Sequence, residues 1–133
     1  MGIISAAGLA QEIGFYSPPI FEVILPMTQS AEEMISVQEA FAELTSLRSP
    51  LYKNSVIKKI NIIPLFEDVS KIIDSSVILE KYIYLHKNKF GALPSYIRPY
   101  LARSDSALSS GLVPSVLAIK IALSRYSKFT KDT

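Results

Sequence analysis

Three times along this chain the spacing of apolar residues changes from a short unbroken run to steps of three and four, always in that order. A short run rich in branched residues is the pattern of a strand buried on both faces, whereas steps of three and four line one face of a helix. The first unit has its run at 21–27, preceded by Pro18 and Pro19, and its helical face at Met34, Val37, Phe41 and Leu44. Between them, Ser30 and Glu33 form a capping box, in which the serine accepts from an early helical N–H and the glutamate reaches back to the serine N–H. The second has its run at 60–66, Asp68 in position to cap, and Val69, Ile72, Ser76, Leu79 and Ile83 on one face; Gly91 and Pro94, within 88–95, end it. Pro99 interrupts the third, which predicts a short strand over 100–104, a turn over 108–111 and a helix over 113–124, with Pro114 in its first turn. That last segment is apolar on nearly every side except at Lys120, which predicts burial by neighbours on several sides.

Three strand–helix units, near 21–47, 60–86 and 97–126, predict an α/β fold with parallel strands and right-handed crossovers, in a barrel segment or in an open sheet. An eight-unit barrel needs about 250 residues, so 133 residues make at most a single partial domain, 1–133, incomplete as a barrel. The apolar fraction of 49% against 20% charged demands extensive burial. A net charge of +2, with basic residues scattered among acidic ones, argues against a nucleic-acid partner. The basic residues at 128–131 read as a solvated end. The absence of cysteine excludes disulfides and thiolate chemistry and fits the cytoplasm. The start lacks a basic signal-peptide region, and no run of about 18 apolar residues is available to span a membrane.

The chemistry-bearing candidates sit where runs end. Pro64-Leu65-Phe66-Glu67-Asp68 and Arg103-Ser104-Asp105-Ser106-Ala107 each set a carboxylate where a strand meets a loop. Carboxylates at the ends of successive parallel strands can converge on a hard cation such as Mg²⁺, which prefers oxygen ligands and retains waters for substrate to displace. Helix capping is the competing explanation; Asp68 suits the cap, and Glu67, next to the strand end, suits the ligand. Asp105, between two serines, can equally belong to a turn or cap. Arg103 is two residues before Asp105, so on an extended strand they share a side, either pairing or leaving the arginine's planar fork to a substrate phosphate or carboxylate. His86 reads as a surface or helix-end residue, Lys120 as a snorkelling one, and Tyr82, Tyr84, Tyr96 and Tyr100 as packing residues with a polar handle.

The stretch at 13–28, Ile63-Pro64-Leu65-Phe66-Glu67, and 98–108 with Gly111-Leu112-Val113-Pro114 and Leu117-Ala118-Ile119-Lys120 resemble archaeal-type phosphoenolpyruvate carboxylase over most of the chain. The resemblance implies about three consecutive βα units of a TIM (β/α)8 barrel. It also implies an Mg²⁺- or Mn²⁺-dependent conversion of phosphoenolpyruvate and bicarbonate to oxaloacetate, with Glu67 and Asp105 as the metal ligands. Leu108 stands where the bacterial pattern has lysine and Arg103 where it has tyrosine, so Arg103 as a substrate contact is an independent reading. The family's catalytic histidine, earlier in its chain, and its glycine- and arginine-rich loop have no counterpart in this sequence, and His86 stands outside the histidine context. Activity is therefore expected only with the missing barrel units, and association with them or with a second copy is the expected partnership. The alternatives are a non-catalytic remnant or interaction module, and part of a pyruvate kinase- or aldolase-type barrel.

Overall fold

The computed structural model describes residues 2–14, 20–48 and 60–132, apart from the side chains of Ile4, Ala7, Gln11, Arg48, Asp105 and Asp132. The elements run α1 (Gly2–Glu12), β1 (Glu22–Leu25), α2 (Ala31–Arg48), β2 (Asn61–Phe66), α3 (Val69–Phe90), β3 (Tyr100–Leu101), α4 (Ser104–Ser110) and α5 (Leu112–Asp132). The three strands form one sheet in the order β1-β2-β3. The fold is thus α/β with a three-stranded parallel sheet. None of the described helices is long and apolar enough to cross a membrane.

By internal packing the chain divides into two compact units, Met1–Val23 with Ser36–Ile62, and Ile24–Ile35 with Ile63–Thr133. In the first, the Asn61 N–H donates to the Phe21 carbonyl at 2.9 Å and the buried Gln38 amide donates to the Ile60 carbonyl at 3.0 Å. Gln38 therefore satisfies a buried carbonyl just ahead of β2.

The second unit holds both strand-end motifs. Its core is Phe66, Ile72, Ala118 and Ala122, packed about by Val69, Ile73, Ile78, Leu101, Ile119 and Tyr126. Ala118 and Ala122 are four apart and share one face of α5, where their small side chains let the helix approach α3 and β2. β2 and β3 run parallel with Leu65 opposite Tyr100 and Phe66 opposite Leu101. Pro64 is tolerated in this strand because its nitrogen lies on the β3 side, one residue before pairing with β3 begins.

The second helix of the βα series starts as its sequence requires. Asp68 takes an extended conformation and accepts from the Ser70 N–H at 2.7 Å and the Ser70 hydroxyl at 2.6 Å. These bonds, the hydroxyl first, hold its carboxyl below the usual aspartate range. A depressed pKa contributes stability that is present above the ordinary carboxyl value and is lost as pH falls through the folded-state value. Asp68→Ala is therefore expected to cost about 1 kcal/mol at neutral pH and to flatten the acid limb of a plot of thermal midpoint against pH. An acid limb identical to that of the unaltered chain would exclude this role.

Several sequence expectations are corrected. The Ser30–Glu33 box forms only in part: the Glu33 N–H donates to the Ser30 hydroxyl at 3.4 Å, but the Glu33 carboxylate accepts from Gln29 at 2.9 Å. β1 stops at Leu25, and Met27 takes a positive φ of 50° so that the buried Thr28 can donate its N–H to the Leu65 carbonyl. α3 continues past 86 to Phe90 and ends where Gly91, at φ 70°, donates to the Lys87 carbonyl. β3 is only Tyr100–Leu101, and the expected turn over 108–111 is mostly helix α4. α5 runs on through 128–131, where Lys128, Thr130 and Lys131 are exposed but helical.

The largest correction concerns α5. It buries only Ser115, Ala118 and Ala122, while Leu112, Val113, Leu117, Ile121 and Leu123 remain exposed. His86 is buried and not a surface residue; it lies between the Tyr82 and Phe90 rings, and its Nδ1–H donates to the Ala92 carbonyl at 2.7 Å. Among the four tyrosines expected to pack, only Tyr82 is buried, and Tyr84 and Tyr100 are more than half exposed.

Candidate metal and substrate site at the strand ends

The carboxyl ends of β2 and β3 lie side by side. Beyond the paired residues the ladder adds one more bond, from the Ala102 N–H to the Phe66 carbonyl at 2.9 Å. Glu67 thus leaves β2 beside Ala102, two residues ahead of α4. Its side chain is half-buried, and its carboxylate makes no hydrogen bond or ion pair among the described residues. Adjacent carboxylates thereby have different fates: Asp68 is consumed by the helix cap, whereas Glu67 keeps its acceptor capacity at the strand exit.

Asp105 lies in the first turn of α4, and its side chain lies outside the described residues. Arg103 immediately precedes α4 in a helical conformation, φ −97° and ψ −36°, with an exposed side chain that makes no capping bond. The strand ends at Leu101, so the alternation that would have set Arg103 and Asp105 on one side does not reach them. Arg103 instead lines an open cleft of about 580 Å³ with Tyr100, Ala102, Ser104, Ala107 and Leu112. Among the described residues it is the only charged one of that lining, so the cleft offers a planar guanidinium beside mixed polar and apolar walls.

The turn carrying these residues is tied down from beneath by two serines. Ser106 and Ser115 are fully buried, and their hydroxyl oxygens are 2.5 Å apart. Ser106 Oγ also lies 3.0 Å from the Ala102 carbonyl and 3.1 Å from that of Arg103, and Ser115 Oγ lies 3.4 Å from the Arg103 carbonyl. Ser115 carried no weight in the sequence reading; its signal was a lone hydroxyl in the apolar stretch 112–119.

The donor set fits a hard cation. Both candidates are carboxylates, and His86 is committed to the Ala92 carbonyl. Among the described residues no group of three or more potential ligands gathers.

The family model described as phosphoenolpyruvate carboxylase matches residues 3–133. The phosphoenolpyruvate carboxylase of Leuconostoc mesenteroides is 37% identical over 131 residues, covering 97% of this chain and 26% of the relative. The enzymes of that name from Pyrococcus horikoshii and Metallosphaera sedula are 36% and 35% identical, each covering 86% of this chain and 25% and 23% of the relative. The chain therefore spans about a quarter of the length of these relatives. Matched along nearly all of its length, the chain belongs to the phosphoenolpyruvate carboxylase family.

Proposed function

We propose that this chain forms one wall of a phosphoenolpyruvate carboxylase site that uses Mg²⁺ or Mn²⁺, with Glu67 and Asp105 as metal ligands and Arg103 as a contact for the substrate phosphate or carboxylate. The observation that carries the reading is the Glu67 carboxylate, uncommitted among the described residues at a strand exit that adjoins the exit of β3. Such a metal, when bound, would neutralise the enolate oxygen as charge develops on it. Arg103 presents a fork of donors in the lining of the neighbouring cleft, suited to two oxygens of one phosphate or carboxylate.

The sequential order of parallel strands, with the candidate residues at their carboxyl ends, supports reading the three units as consecutive parts of a TIM barrel. Proton transfer, bicarbonate handling and phosphate anchoring would fall to other barrel units, and the exposed apolar residues of α5 favour association with them. Bicarbonate and phosphoenolpyruvate are accordingly substrates of the assembled enzyme, in the cytoplasm. The same exposed residues also favour a second reading, an interaction module that keeps the carboxylates without turnover.

The test is ³¹P relaxation of phosphoenolpyruvate in the presence of Mn²⁺ and the chain, with oxaloacetate formation measured alongside. A protein-dependent broadening is expected that Arg103→Glu removes, without oxaloacetate from the chain alone. Broadening unchanged by Arg103→Glu would end the arginine's assignment.

A further inference from the structure

We infer that Ser115 is a positioning residue: through Ser106 it sets the strand-exit turn from which Arg103 and Asp105 are presented. This rests on the reading of that turn as metal- and substrate-binding. Counting protons assigns the direction of the relay. Two hydroxyls share two protons, and the 2.5 Å contact between them takes one. With Ser115 donating to Ser106, the Ser106 proton is free for the Ala102 carbonyl at 3.0 Å, shared with that of Arg103 at 3.1 Å. With the direction reversed, Ser106 has no proton left for either, and Ser115 reaches only the Arg103 carbonyl at 3.4 Å. The first arrangement satisfies more of the buried polar groups.

Geometry separates Ser115 from an ordinary helical serine. A serine inside a helix commonly bonds the carbonyl three or four residues back, as Ser106 does with Ala102 and Arg103 just ahead of α4. Ser115 instead reaches across to the preceding helix and the turn before it. Gly111 makes this possible: at φ 92° and ψ 159° it adopts a conformation that a side chain disfavours, and it joins α4 to α5 with no further linking residue. Both serines are fully buried, so neither hydroxyl can exchange this contact for water. The Ala107 N–H, donating to the Arg103 carbonyl at 3.0 Å, and the Ala102 N–H, donating to Phe66, report the state of the turn.

The experiment compares Ser115→Ala, Ser115→Thr and Ser75→Ala in the full chain. Ser75 is an equally buried hydroxyl in the same unit, bonded to the Ile72 carbonyl and to Tyr126, and so reports generic loss of stability. Amide exchange at Ala102 and Ala107 and Mn²⁺ affinity by water-proton relaxation are the readouts. Ser115→Ala is expected to speed exchange at both amides and to weaken Mn²⁺ binding about tenfold, the size of effect seen when a group that orients a metal ligand is lost. Ser115→Thr, which keeps the hydroxyl, restores both, and Ser75→Ala leaves both unchanged. If Ser115→Ala does not fold, Ser115→Cys, a weak donor of similar size, carries the comparison. Unchanged exchange in the alanine variant, or an equal loss of affinity in Ser75→Ala, would overturn the inference. Absence of Mn²⁺ binding in the unaltered chain would instead overturn the metal reading, and the two amides alone would then decide the positioning role.

Discussion

Glu67→Gln is expected to weaken Mn²⁺ binding by about 100-fold or more, close to 3 kcal/mol, because loss of a direct ligand should reach at least the upper end of the effects measured for groups that only orient ligands. The amide keeps the shape of the side chain and removes its charge. Glu67 makes no hydrogen bond or ion pair among the described residues, so the fold has little to lose, and stability should change by less than about 0.5 kcal/mol. The neighbouring carboxylate supplies the contrast. Asp68 is bonded to Ser70 as the cap of α3, so its removal should lower the melting temperature and leave Mn²⁺ affinity in place. Relaxation titrations and thermal melts on the two variants separate a ligand from a cap, and an unchanged dissociation constant for Glu67→Gln would dismiss it as a ligand.

Phe66→Ala is expected to be the most damaging single change to stability, about 4 kcal/mol, equivalent to a fall in melting temperature of roughly 15 °C or more. Phe66 is fully buried in the cluster with Ile72, Ala118 and Ala122. The α5 members of that cluster are alanines, which have no atoms to move into the space left behind, so much of the cavity should persist. The loss is a large part of the 5–15 kcal/mol that holds a typical domain together. The phenylalanine also immediately precedes Glu67, and its carbonyl holds Ala102, so collapse of this side chain would loosen both strand exits. Denaturant unfolding of Phe66→Ala beside Phe66→Leu measures the effect; a loss under about 1 kcal/mol in the alanine variant would show that the cluster does not hold the unit together.

Local patterns in the sequence were sufficient for β2 and for the start of α3, since each depends on a few adjacent residues. The cap at Asp68 is legible because its partner is two residues away. α4 was not legible: Ser104-Asp105-Ser106 is a turn pattern by composition, and it is helical because Ser106 is bonded to carbonyls behind it and to Ser115 ahead. Likewise the apolar surround of α5 predicted burial on several sides, but only its small-residue face meets the core.

By itself, then, the sequence determined the α/β alternation, the family and the two acidic motifs, because strand and helix periods and motif spacing are local properties of the chain. Only the tertiary structure decided that Arg103 lines a cleft from a helical turn. It also brought Ser115 under that turn, twelve residues after Arg103. Those outcomes depend on hydrogen bonds and packing between segments distant in the chain, and no local spacing encodes them.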